Sequence, residues 1–371
     1  MKLGILITSI GNYGKKGFYN AQEIGLAKEF DKLFEEVTIY KAIPLTEPEE
    51  TLSVEGCKHT ILHRVPVKSQ GTNGLWNCDR LDKRLDVLIY FSDTQLSVPQ
   101  VYKWCSQNKV KLFPYIGVIE SHSTDKIKKI FIDWMFKKNI RIYKKCTCFA
   151  KSTNVKMQML RKGLTNCVLA PVGLDFSLMH TGYEEESIEL LRGKWGYQAN
   201  EKILLFIGRL TDEKQPIKMI DYFYKLYKYD PSYRLLMIGT GELIGEVEKV
   251  IELYGINDKV KIFAQIPNEE IWQLYRIADC FVNLNQHEIF GMAILEAMYY
   301  GCKVVAWQAS GPSYIIEDGI SGYLCNNEEE LLDHILHGKR LSKAAHLRIV
   351  DQFNWQTSAK VIYEFARKVT V

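Results

Sequence analysis

No stretch of this 371-residue chain reaches the 18 or more consecutive apolar residues that a membrane-spanning helix needs. There is no repeat at fixed period and no low-complexity tract, which excludes solenoids and fibrous architectures. The nine cysteines are scattered and odd in number. Cys146 and Cys148 form a lone CxC with no second pair at useful spacing, so neither a disulfide framework nor a metal site is indicated. Cys167, Cys280 and Cys302 stand in apolar contexts and read as reduced core residues. The full dinucleotide fingerprint is also missing: Gly239-Thr240-Gly241 is only a GxG, which argues against a nicotinamide oxidoreductase. Finally, Met1 to Ile7 runs straight into a strand-like segment without the apolar core and cleavage site of an export signal. The expected location is the cytoplasm, with attachment at the inner face of the cell membrane left open.

What is present points to two compact cores. An apolar fraction of 47% with 12% aromatics suits globular domains, and the length favours two of them. Strand-like apolar runs at Leu3 to Thr8, Val37 to Tyr40, Val87 to Phe91, Lys111 to Ile116 and Asn166 to Ala170 are interleaved with helical patterns at Ala21 to Phe34 and Val98 to Asn108. The second half repeats the scheme, with strands at Ile203 to Ile207, Arg234 to Ile238, Val260 to Phe263, Cys280 to Leu284 and Lys303 to Ala306. Helical patterns lie between them at Ile217 to Tyr229, Leu243 to Leu253 and Glu269 to Ile277. Such alternation predicts two α/β domains built on mainly parallel sheets, with the boundary in Pro171 to Glu201. The modest net charge of +4 conceals an uneven distribution: residues 1–170 carry 27 Lys/Arg against 16 Asp/Glu, and residues 171–371 carry 21 against 28. A basic front half suits an anionic surface or a phosphorylated ligand.

The chemistry concentrates after the second-half strands. Gly208, Arg209 and Lys214 follow an apolar strand, where a guanidinium fork and a compact ammonium can neutralise a diphosphate; solvated surface cations are the bland alternative. Gly239 to Glu242 permits close backbone approach and places Glu242 toward the first turn of the next helix. The segment Asn285 to Ala306 then sets two glutamates eight residues apart. Glu288 lies in the approach to a helix and can accept hydrogen bonds from sugar hydroxyls. Phe290, Gly291 and Met292 mark the helix start, where backbone N–H groups favour phosphate. Glu296 sits within the helix and can take the two hydroxyls of a ribose, or else belong to a solvated face.

Taken in order, Gly208-Arg209…Lys214, Gly239-Thr240-Gly241-Glu242 and Glu288-Ile289-Phe290-Gly291…Glu296-Ala297…Gly301 resemble the retaining glycosyltransferases of family 4, also called group 1, with their E-x7-E signature. The likeness spans most of residues 200 to 325. It implies the GT-B architecture, an α/β fold of two Rossmann-like domains facing across a cleft. The domains would be 1–170, binding acceptor, and 171–350, binding a nucleotide sugar, with 351–371 a helix crossing back to the first. It implies transfer of a hexose or N-acetylhexosamine from a nucleotide-diphosphate sugar, a UDP-sugar foremost, to a saccharide or lipid-linked acceptor, without metal or cofactor. By the same resemblance Arg209 and Lys214 meet the diphosphate, Glu288 the transferred sugar and Glu296 the ribose. Backbone from Phe290 to Met292 assists Glu288, and Gly241 lies near the base. The family's glycine-rich first loop would here include Gly14 and Gly17, although Lys15 and Lys16 alter it. A family histidine near the reacting sugar falls at Glu120 or His122, with His122 favoured because neutral imidazole acts near pH 7. A GT-B phosphorylase and a noncatalytic carbohydrate-binding scaffold are the competing readings.

One further stretch is distinctive. Lys126, Lys128, Lys129, Lys137, Lys138, Arg141, Lys144 and Lys145 flank an apolar series that includes Trp134, the profile of a helix lying on anionic lipid. An amphipathic helix packed on its own domain is the alternative. No RNA- or DNA-recognition motif accompanies this charge, so nucleic acid is not an expected partner.

Overall fold

The computed structural model describes residues 1–10, 21–119 and 126–370. These form two compact units, one made of Met1–Asp175 with Asn354–Val371, the other of Phe176–Phe353.

In the first unit the elements run β1 (Lys2–Ile7), α1 (Gln22–Phe30), β2 (Glu36–Pro44), β3 (Glu50–Ser53), β4 (Thr60–Val67), a short pair β5 (Ser69–Gln70) and β6 (Asn73–Gly74), then β7 (Val87–Phe91), α2 (Val98–Asn108), β8 (Lys111–Ile116), α3 (Lys126–Tyr143), β9 (Cys148–Ala150), α4 (Thr153–Arg161) and β10 (Cys167–Leu169). The main sheet has the order β10-β9-β8-β7-β1-β2-β4-β3. Its neighbours are parallel except for the edge pair β3 and β4. The central strands are buried along their length, as a parallel sheet covered on both faces requires. The sequence pattern missed β4 because His63, Arg64 and Pro66 interrupt its apolar residues. Only an edge-proximal strand tolerates such a composition.

The second unit runs α5 (Ile188–Lys194), β11 (Lys202–Ile207), α6 (Pro216–Tyr229), β12 (Tyr233–Ile238), α7 (Ile244–Tyr254), β13 (Val260–Phe263), α8 (Asn268–Ile277), β14 (Cys280–Asn283), α9 (Met292–Tyr299), β15 (Val304–Trp307), α10 (Pro312–Ile315), β16 (Tyr323–Cys325), α11 (Glu328–His337) and α12 (Ser342–Gln352). Its sheet is parallel throughout, in the order β13-β12-β11-β14-β15-β16. That is the doubly wound order, and it reverses between β11 and β14. In such sheets the reversal leaves a crevice at the carboxyl ends of the two strands, where ligands bind. Glu242 falls just ahead of α7, whose cap is Leu243, rather than in its first turn.

The final helix, α13 (Trp355–Thr370), packs within the first unit. Trp355 is buried against Gly25 of α1, where a Cβ would meet the indole. Phe365 meets Phe149 edge to face, and Ser358 donates to the Pro171 carbonyl at 2.6 Å. All nine cysteines are free thiols, and every one except Cys57 is buried. Burial pushes the Cys78 and Cys146 thiols up to about 11, so these groups are apolar filling rather than nucleophiles.

Candidate functional site

The reversal point of the second sheet collects the residues singled out in the sequence. After β11 the chain makes a turn through Gly208 and Arg209, then a single 3-10 turn at Asp212–Lys214 that delivers Lys214 back over Gly208. After β14 it enters the loop carrying Glu288. Lys214 Nζ and Glu288 Oε2 stand 2.6 Å apart, with both side chains largely shielded. The switch point of the sheet thus brings together two residues 74 positions apart.

The same carboxylate oxygen receives two more donors. Asn285 Nδ2 lies 3.3 Å and Asn283 Nδ2 3.4 Å from Glu288 Oε2. Both asparagines are buried. Sequence reasoning passed over them; the available signal was a pair of asparagines alternating inside the apolar run Phe281-Val282-Asn283-Leu284-Asn285, where buried amides need partners. Glu288 Oε1, by contrast, takes no hydrogen bond from the described residues.

Gly291 stands at the cap of α9 with φ of 105°, and a Cβ there would press on Ile294 and Glu288. Glycine at this position therefore lets the chain turn from Glu288 into the helix. The first N–H groups of α9, at Met292 and Ala293, bond to no acceptor among the described residues, as expected at a helix start. Phe290 is buried against Phe353. Glu296 lies one turn into α9 and is 7% exposed, which disposes of the solvated-face alternative. It accepts a 2.8 Å hydrogen bond from the fully buried Tyr275 hydroxyl of α8. A buried carboxylate needs hydrogen-bond donors, and Tyr275 joins Asn283 and Asn285 among the residues that sequence pattern did not single out.

Arg209 behaves differently. Its side chain is 55% exposed and pairs with Glu213 four residues on, a contact of little stabilising value at a surface. That leaves the guanidinium able to change partner at small cost. Gly241 proves to have a packing role: a Cβ there would fall 2.3 Å from the Leu210 carbonyl oxygen. The turn after β12 lies against the Arg209 loop, with Leu210 N–H donating to Thr240 and Leu243 N–H to Leu210, each at 3.0 Å. Gly241 thereby buttresses the loop that presents both cations. Gly14, Gly17, Glu120 and His122 lie outside the described residues.

The chain is similar to known proteins in sequence and in fold. The family model described as "Glycosyl transferases group 1" matches residues 187–346. Residues 187–346 are thus similar to group 1 glycosyl transferases. Among similar curated proteins are the alpha-monoglucosyldiacylglycerol synthase of Acholeplasma laidlawii, 25% identical over 46% of this chain and 43% of that one, and the D-inositol 3-phosphate glycosyltransferase of Nocardia farcinica, 28% identical over 53% and 46%. The chain spans about half the length of the curated relatives it matches. Over the whole fold it is similar to the solved structures of Anabaena HepE in complex with UDP and glucose, with a TM-score of 0.73 at 17% identity covering 99% of this chain and 100% of that one, and of sucrose-phosphate synthase from Thermosynechococcus elongatus, with 0.76 at 16% covering 99% and 98%. The fold is therefore the two-Rossmann GT-B fold, and the matched segment 187–346 contains Lys214, Glu288 and Glu296.

In the first unit, α3 shows one face to its own core and another to solvent. Phe136 and Tyr143 are buried, and Asn139 donates to the Gln95 carbonyl at 3.0 Å. Trp134 is 53% exposed with Lys138 over its ring, while Lys137, Arg141, Lys144 and Lys145 face outward. The helix therefore packs on its own unit, as one of the two alternatives expected, and carries an exposed basic face. No helix among the described residues is long and apolar enough to cross a membrane.

Proposed function

We propose that the chain is a retaining glycosyltransferase that moves a sugar from a nucleotide-diphosphate sugar to a hydroxyl of a saccharide or lipid-linked acceptor. The observation that carries this reading is the convergence of Lys214, Glu288 and α9 at the switch point of the second sheet. Residues 176–353 would hold the donor and the first unit the acceptor. A UDP-sugar is the favoured donor, since Anabaena HepE binds UDP and UDP-glucose on the same fold.

Each group then has a distinct task. Glu296, held by Tyr275, accepts from the ribose hydroxyls, and Glu288 accepts from a hydroxyl of the transferred sugar. The N–H groups at the start of α9, with Arg209 and Lys214, face the diphosphate. As the bond from the anomeric carbon to phosphate oxygen lengthens, negative charge grows on the phosphate and positive charge on the sugar ring. Once the bound donor has drawn both cations to the diphosphate, they stabilise that charge separation as it develops. The acceptor hydroxyl attacks from the face the phosphate is leaving and hands its proton to the departing phosphate oxygen. Retention follows without a protein nucleophile. His122, where the resemblance puts it, would polarise the acceptor hydroxyl or bond the donor sugar.

A panel of nucleotide sugars, with and without simple acceptors, tests the reading by release of nucleoside diphosphate. Lys214→Ala is expected to lower transfer by about a hundredfold; activity within about twofold of wild type removes Lys214 from the mechanism. Complete inertness of the wild-type protein toward every donor would favour the noncatalytic scaffold. The outward face of α3, with Trp134 among its cations, supports a second element of the proposal, attachment to anionic membrane. Salt-sensitive binding to anionic vesicles is expected, and equal, negligible binding to anionic and neutral vesicles at low salt would refute it.

A further inference from the structure

We infer that Asn285, seconded by Asn283, is the positioning residue that keeps Glu288 aimed at the donor sugar when Lys214 turns to the diphosphate. The inference rests on the donor-binding reading of Glu288 given above.

The orientation of both amides is fixed by their own oxygens. Asn285 Oδ1 accepts the His287 backbone N–H at 2.9 Å, and Asn283 Oδ1 accepts the Asn285 N–H at 3.1 Å. An amide whose oxygen is committed to a backbone donor can offer only its NH2 group to the other side. Both NH2 groups therefore point at Glu288, and both meet the same oxygen, Oε2, that Lys214 meets. Three donors on one oxygen anchor the carboxylate from behind and leave Oε1 for a hydroxyl. Asn285 and Asn283 are 5% and 8% exposed, so both amides are largely shielded from bulk solvent.

The three donors are not equivalent once a donor substrate arrives. Lys214 is a cation on a flexible stem, and a diphosphate with two negative charges competes for it more strongly than one carboxylate does. The amides are neutral and tied to the loop backbone at Asn285 and His287, so they stay. Without them Glu288 would lose its orientation at the step where it has to hold the sugar. Lys214 and the asparagines thus divide the work: the cation serves either anion, and the amides keep the carboxylate in place.

The test is Asn285→Ser, in which a hydroxyl oxygen can still accept the His287 N–H but no NH2 reaches Glu288, with Asn283→Ser as an independent second variant. For each, the KM of the nucleotide sugar in donor hydrolysis is compared with the Kd of the matching nucleoside diphosphate, which lacks the sugar. The expected result is a rise of about fivefold or more in KM for the sugar donor, with diphosphate affinity within about twofold of wild type. Unchanged KM in both variants overturns the inference. Equal weakening of donor and diphosphate also overturns it, since that marks a general loosening of the loop. Failure of the wild-type protein to bind or hydrolyse any nucleotide sugar would instead sink the donor-binding reading itself.

Discussion

Tyr275 exemplifies how a buried aromatic can matter through one atom. Its ring is wholly buried, edge-on to Phe281 and stacked with Tyr300, and its hydroxyl reaches Glu296. Tyr275→Phe keeps the ring and removes the hydroxyl that bonds Glu296. We expect nucleoside diphosphate affinity to fall about three- to tenfold with little change in melting temperature, measured by calorimetry beside a thermal scan. Gly241→Ala should do the reverse. A methyl forced to 2.3 Å from the Leu210 carbonyl must displace the loop bearing Arg209 and Lys214, so both stability and turnover fall. The expected loss of stability is about 1 to 3 kcal/mol, read from chemical unfolding.

At the scale of elements, the connection from the end of α1 to the start of β4 depends on one carboxylate. Asp31 closes α1 and accepts from Lys58 N at 2.9 Å, His59 N at 2.7 Å and Thr60 Oγ1 at 2.7 Å. Partial burial acts to raise its pKa, but the bonds from Lys58, Thr60 and His59 outweigh that and hold it below 3.8. A carboxyl depressed in the folded state stabilises the protein above its unfolded pKa and loses that contribution as pH falls through the folded value. The melting temperature of wild type should therefore drop below about pH 4 more steeply than that of Asp31→Asn, with parallel curves the refuting outcome. Strand and helix legibility follows the same physics of local signal. Val87–Phe91, Lys111–Ile116, Val260–Phe263 and Val98–Asn108 have the bounds their patterns predict, because apolar runs flanked by turns specify them locally. Thr60–Val67 and Thr153–Arg161 were not legible. The first is broken by polar residues at the sheet edge, and the second is a short helix opened by Ser152, whose hydroxyl caps Val155 N–H.

For the whole molecule, the division into two units predicts separable responses. Trp355 of α13 is 3% exposed and belongs to the first unit, so Trp355→Ala should cost that unit about 3 to 5 kcal/mol. Residues 176–353, the proposed donor-binding unit, should still be stabilised by a saturating nucleoside diphosphate in the same variant. A loss of that stabilisation in calorimetric scans would show that the units do not unfold as separate bodies. The glutamates and the cations were readable in the sequence because their spacing is a signature. Asn283, Asn285 and Tyr275 were not, since a buried amide or phenol looks like ordinary core until its partner across the fold is known.

The ion pair of Lys214 with Glu288 also bears on the end of a catalytic cycle. An unpaired lysine would grip the spent nucleoside diphosphate, and a tightly held product slows every following turnover. Here the carboxylate next to it offers the ammonium an alternative as soon as the sugar has gone. Under the proposed mechanism, the pair that parts to admit a donor closes again behind the leaving group, so the charge assigned to bond cleavage does not become a trap.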